Sequence, residues 1–205
     1  MTFKSKAIAF SFACLLGAAS SAANAETQTG RFMDVDGATR APAGHVGFCS
    51  ENPGECGGAN RDAVVVKLNR ERWNELIAVN DEVNRQIRPV TDIELFGVEE
   101  YWTFPSGGAG DCEEYVLEKQ RVLQNRGWPR SALLITVVKD TDNAGHAVLT
   151  VRTDQGDVIL DNQIEAVLPW YSSPYRFVKR QSTGHPAKWA AISDQRVSTV
   201  ASLTN

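Results

Sequence analysis

Three side chains are suited by type and placement to do chemistry together: Cys112, His146 and Asp161. Cys112 falls in the first turn of a predicted helix, where unpaired backbone N–H groups and the macrodipole favour a thiolate and lower the thiol pKa. A cysteine nucleophile needs a base to take its proton, and beyond the first 25 residues the chain offers His45, His146 and His185. His45 lies in a Gly- and Ala-rich lead-in, and His185 sits beside Pro186 in a late loop. His146 opens a predicted strand directly after Gly145. Asp161 ends the next strand, where a carboxylate can accept the ring's other N–H and fix its tautomer. Nucleophile, base and orienter of this kind work on acyl groups through a thioester. Taken singly, each has a plainer reading. A helix-start cysteine is often just a small buried residue, and a strand-end aspartate is often a turn former.

The elements that must position these residues follow from periodicity. Cys112, Tyr115, Val116, Val122 and Leu123 form one apolar stripe of a helix. Asp111 suits its N-cap, Glu114 completes a capping box, and Gly127 with Pro129 closes the far end. An earlier helix runs from Arg70 with Trp73, Leu76, Ile77, Val83 and Ile87 on one face, and it ends before Pro89. Between the two helices, Trp102 to Gly110 reads as a flexible approach loop. Ala63 to Leu68 is a short candidate strand. After the second helix the pattern turns to strands: Leu133 to Val138, His146 to Thr153, Val158 to Leu160 and Tyr175 to Arg180. Helices first and antiparallel strands after predict an α+β fold. Register is the weak point of the triad. A two-residue turn at Gln155-Gly156 would pair His146 with Glu165 and Asp161 with Thr150, so the two need a wider loop, a bulge or strong twist to meet. Trp170, Tyr171, Tyr175 and Trp189 read as packing residues in preference to a substrate groove.

Composition narrows the function classes. At 205 residues and 42% hydrophobic, the chain suffices for one domain with a substantial core. Its net charge is −4, with no run of Lys or Arg, which argues against nucleic acid as a partner. The first 25 residues read as a signal peptide: Lys4 and Lys6, an apolar run from Ala7 to Ala19, then Ala23-Asn24-Ala25 as the cleavage site. Cys14 goes with that segment, and no later stretch is long and apolar enough to span a membrane. The expected location is therefore periplasmic or secreted. Residues 26–62 read as a loosely structured lead-in, and 63–205 as the functional domain. In an oxidising compartment three cysteines remain, an odd count. Cys49 and Cys56 flank a Pro53-Gly54 turn and read as a structural disulfide rather than a metal site, since zinc would want CxxC spacing and a neighbouring His. Cys112 is then unpaired.

The stretch Gly110-Asp111-Cys112-Glu113-Glu114-Tyr115-Val116-Leu117 resembles the nucleophile block of the bacterial transglutaminase-like cysteine proteinases. Further similar pieces follow in order: Gly145-His146-Ala147-Val148-Leu149, Leu160-Asp161-Asn162, Tyr175-Arg176-Phe177, Arg180-Gln181-Ser182 and Trp189. Upstream, Phe48-Cys49, Pro53, Cys56 and Val83-Asn84 also look familial. The resemblance covers roughly residues 45 to 190. It implies a papain/transglutaminase-like core, with the nucleophile-bearing helix packed on an antiparallel sheet. It also implies Cys112 as nucleophile, His146 as general base and Asp161 as orienter, with the Cys112 N–H and an upstream donor near Trp102 holding the oxyanion.

The family includes LapG-type periplasmic proteases, which clip large surface adhesins and bind calcium through acids flanking the cysteine. Asp111 and Glu113 match those positions, and Glu114 stands where the family usually has Asp. The resemblance thus implies Ca²⁺ at Asp111, Glu113 and Glu114, a protein substrate such as a surface adhesin, and a periplasmic regulatory receptor as partner. The same core also supports transglutaminase-type acyl transfer, and a non-catalytic binding module of this fold is the third reading. The complete set of Cys, His and Asp speaks against the last.

Overall fold

The computed structural model describes residues 30–60, 62–194 and 196; the expected signal peptide, residues 1–25, lies outside them. Seven antiparallel strands form one sheet in the order β1-β9-β8-β4-β5-β6-β7. The strands are β1 (Val35–Thr39), β4 (Leu133–Lys139), β5 (Gly145–Thr153), β6 (Gly156–Leu160), β7 (Leu168–Pro169), β8 (Arg176–Ser182) and β9 (His185–Ile192). Two further strands, β2 (Arg88–Pro89) and β3 (Ala109–Gly110), pair in parallel outside the sheet. The helices are α1 (Ala43–Glu51), α2 (Pro53–Cys56), α3 (Arg70–Gln86), α4 (Asp92–Phe96) and α5 (Cys112–Asn125). The expected α+β class holds, with α5 lying against β4 and β5 and α3 against α5. Among the described residues no helix is long and apolar enough to cross a membrane.

The main core fills the space between sheet and helices. Leu76, Val79 and Val83 of α3 meet Val116 and Leu123 of α5 over Leu133, Ile135, Leu149 and Leu160 of the sheet. Burying side chains of this size contributes about 1.5–3 kcal/mol each. A smaller cluster on the sheet's other face gathers Met33, Val148, Trp170, Tyr175 and Phe177. Trp170, Tyr175 and Trp189 are therefore packing residues as expected, whereas Tyr171 is exposed.

The described part of the expected lead-in, residues 30–60 and 62, is more ordered than its composition suggests. It supplies an edge strand paired to β9 and two helices, and the expected bond between Cys49 and Cys56 joins α1 to α2. Gly44 is what lets α1 close on the core, because a Cβ there would sit 2.3 Å from the Trp102 ring. The candidate strand 63–68 reduces to a single bridge, Val66 to Thr153. The approach loop is anchored at both ends by burial of Trp102 and Ala109.

Register resolves in favour of the His–Asp pair without any wide loop. The β5–β6 turn is Asp154-Gln155, and Thr153 pairs with Gly156. The turn sits one residue earlier than Gln155-Gly156, which moves the register by two. Leu149 then faces Leu160, and Asp161 emerges diagonally beside His146. Gly156 is a glycine for a reason unrelated to the turn. Its φ is 127°, and a Cβ there would lie 2.8 Å from the Arg31 carbonyl oxygen.

Candidate active site

The block Gly110-Asp111-Cys112 is held in place before α5 begins. Arg88 and Pro89 pair with Ala109 and Gly110, so the chain leaving α3 fixes the approach to α5. Asp111 and Glu114 form the expected capping box, in which the Asp111 N–H donates to Glu114 Oε2 at 2.8 Å. Gly110 is required beside it, since a Cβ would meet the Glu114 Cβ at 2.5 Å.

Cys112 is the free cysteine among the described residues and is half-buried. Its thiol donates to Glu113 Oε2 at 2.9 Å and not to His146. Burial pushes the thiol pKa well up, the charge and hydrogen bond of Glu113 push it further, and the Ala147 backbone N–H lowers it slightly. This corrects the expectation of a thiolate favoured by the helix end. Desolvation and an adjacent carboxylate outweigh the macrodipole, whose effect is typically 0.3–1 kcal/mol.

His146 and Asp161 are both buried, and His146 Nε2 lies 2.7 Å from Asp161 Oδ1. The ionised carboxylate only accepts, so Nε2 carries the proton. That leaves Nδ1, whose neighbour is Gln163 Nε2 at 3.4 Å. Asp161 is saturated with donors: the Gln163 N–H on Oδ1, and the Ile164 N–H and Tyr175 hydroxyl on Oδ2, the last at 2.5 Å. Burial alone would raise its pKa, but the His146 and Tyr175 hydrogen bonds bring it below the usual carboxylate value. His146, Ala147 and Glu113 line one cleft with Trp102, Glu100, Pro42 and Lys179.

The acidic residues divide into two touching groups. Asp92, Asp111 and Glu114 bring carboxylate oxygens within 4.8 Å of one another, and Asp111 also clusters with Cys112 and Glu113. Burial pushes Glu113 up to about 9 and Glu114 up to about 8, with neighbouring Asp111 adding to both. Asp92 is raised by burial too. Asp92 Oδ1 and Asp111 Oδ1 are buried with no hydrogen-bond partner among the described residues. Crowded, oxygen-only and short of compensating charge, this cluster has the chemistry of a hard-cation site.

The sequence profile of the bacterial transglutaminase-like cysteine proteinases matches residues 35–197 of the 205. The chain belongs to this family. Among solved structures it is similar to three of LapG of Legionella pneumophila, one calcium-bound and one EGTA-treated, each at 28% identity over 56% of this chain. TM-scores are 0.48, 0.48 and 0.47, over 66%, 65% and 64% of those chains. The match spans just under two thirds of their length. No curated protein matches the sequence.

In this transglutaminase-like family member, His45 is not near the cleft chemistry. It is packed edge-on between Trp102 and Trp189 in the core, and His185 opens β9. Sequence reasoning missed Tyr175 and Asn84 as partners of Asp161, and Asp92 as part of the acidic cluster. Asn84 Nδ2 donates to the Asp161 carbonyl at 2.8 Å. Its place at i+4 from Asn80, facing the core on an otherwise apolar helix face, was the available signal.

Proposed function

We propose that the chain is an exported cysteine endopeptidase that hydrolyses a protein amide bond through Cys112, His146 and Asp161. One observation carries the reading: a buried His146–Asp161 pair at 2.7 Å, the base and orienter that the Cys112 thiol needs. Nδ1 of His146 takes the thiol proton as sulfur attacks the substrate carbonyl carbon. The Cys112 N–H, free at the first turn of α5, stabilises the oxyanion. His146 then protonates the leaving amine, and a thioester forms. Water, deprotonated by His146, cleaves the thioester, and the acid departs with the thiol restored. Asp161 stays ionised throughout and stabilises the imidazolium.

Calcium is the cation that suits the acidic cluster. Asp92, Asp111 and Glu114 would hold it, with Glu113 joining through Asp111, so the site extends the set inferred from sequence by Asp92. Bound there, it would neutralise the carboxylates that crowd the nucleophile. The substrate is read as a surface protein such as an adhesin, and a periplasmic receptor as regulator, on family grounds and on the leader sequence.

The test is selective alkylation and cleavage. Iodoacetamide at pH 7 should modify Cys112, and His146→Ala should slow this at least tenfold. New N-termini in a periplasmic protein extract should appear with the wild type and vanish with Cys112→Ser. Equal labelling in His146→Ala, or cleavage surviving Cys112→Ser, overturns the proposal.

A further inference from the structure

A lysine with no counterpart lies inside the nucleophile helix. Lys119 of α5 is 0% exposed, and its Nζ has no hydrogen-bond partner among the described residues. The ammonium lies over the Tyr115 ring, 5.9 Å from the centroid, and the Tyr115 hydroxyl donates to the Ile87 carbonyl at the end of α3. Lys119 therefore points into the seam between α5 and α3. Across that seam α3 presents Asn80 and Asn84, each with a buried Oδ1 that also lacks a partner among the described residues. Their amide nitrogens are committed. Asn84 donates to the Asp161 carbonyl at 2.8 Å, and Asn80 donates to the Glu165 carbonyl at 2.9 Å. The two bonds clamp both ends of the loop whose N–H groups, from Gln163 and Ile164, hold the Asp161 carboxylate.

A buried, unpaired ammonium is costly, and an apolar side chain of similar length in its place is commonly neutral or stabilising. Burial drives its pKa down to about 7, and the charge that works against this drift is the Asp161 carboxylate. Polar groups kept in a core at a cost to stability are expected where function needs them. We infer that Lys119, together with Asn80 and Asn84, is a positioning residue for the reaction: the polar groups filling this seam hold the loop from Asp161 to Glu165, and with it the Asp161 carboxylate, in line with His146. It touches neither substrate nor sulfur. It acts through Asp161.

The inference rests on the triad reading above, and its test separates the two. Lys119→Met fills the same volume without charge and should melt no lower than wild type, yet lose about five- to tenfold in kcat with KM unchanged. Asn84→Leu should lose a similar factor. The double variant should lose no more than the worse single, because both act on one carboxylate. An activity-independent readout is the downfield proton resonance of the His146 Nε2–H, which should move upfield in Lys119→Met and in Asn84→Leu. Unchanged kcat and an unmoved resonance in a folded Lys119→Met would overturn the inference. Should wild-type cleavage survive His146→Ala, the triad reading falls, while the resonance still reports whether Lys119 acts on the His–Asp pair.

Discussion

The Cys112 thiol donates to Glu113 Oε2 at 2.9 Å, so this free cysteine is kept protonated by its own chain neighbour. The contact joins the proposed catalytic and cation-binding residues in one pair. Removing the carboxylate while keeping the side-chain shape isolates its effect. Glu113→Gln should lower the thiol pKa, and because Glu113 is ionised only above about 9, the gain in iodoacetamide alkylation should appear on the alkaline limb of the profile and not at pH 7. The rate-versus-pH curve of alkylation measures this. A curve superimposable on wild type would show that Glu113 does not control the thiol.

Asp161 should act through orientation and charge. In Asp161→Asn the amide oxygen can still accept, but the anion that stabilises imidazolium is gone, and the amide nitrogen can turn to the ring and favour the wrong tautomer. Cleavage should fall by about 10⁴ in kcat, the scale found where a triad carboxylate is made neutral, with the fold kept. Tyr175→Phe should cost less, about 1.5–3 kcal/mol of stability, the value of one hydrogen bond to a charged group. Chemical denaturation and single-turnover cleavage check the two.

Much of this site was legible in the sequence because it depends on local pattern. The capping box at Asp111 and Glu114, the apolar stripe of α5 and the buried strands β4 and β5 each follow from spacing over a few residues. The misses are tertiary. Gly156 looked like a turn glycine but serves the close approach of the Arg31 backbone, and that one-residue difference hid how Asp161 reaches His146. β1, α1 and α2 were hidden because their order comes from pairing with β9, a disulfide and the Trp102 contact, none of which a Gly-rich composition announces. The thiol pKa was misjudged because burial and the direction of the Glu113 side chain are invisible in a linear motif.

The acidic cluster gives a calcium prediction with a definite sign. Glu113, Glu114 and Asp92 have pKa values raised in the fold. Between the unfolded carboxylate range and about 8–9 the folded chain therefore binds more protons than the unfolded one, and these groups make stability fall as pH rises. Calcium would replace those protons. At pH 8 millimolar Ca²⁺ should raise Tm by several degrees, EGTA should reverse this, and the gain should shrink towards pH 5. Mg²⁺, which gives up its water reluctantly, should do less. Glu114→Gln should abolish the calcium-dependent rise. A Tm indifferent to calcium at pH 8 would remove the cation site from the proposal.

His45 predicts an acid limb of opposite sign. Its ring is packed between Trp102 and Trp189, and both ring nitrogens face N–H donors: Trp189 Nε1 at 3.3 Å from Nδ1, and the Gln181 amide at 3.1 Å from Nε2. A protonated ring would turn two donors against two donors. Burial, reinforced by the Arg130 charge, accordingly lowers its pKa to about 4. Below about 6.5 the unfolded chain takes up a proton that the folded ring refuses, so stability is complete above that pH and drains away as pH falls towards 4. At about 1.4 kcal/mol per pKa unit, the loss is at most about 3.5 kcal/mol. The raised carboxylates slope the other way, so the difference between wild type and a variant isolates the histidine. His45→Gln retains an acceptor for Trp189 but cannot charge. Its stability relative to wild type should improve steadily as urea unfolding is repeated from pH 7 down to pH 4. A constant offset across that range would mean that the ring's protonation is not coupled to folding.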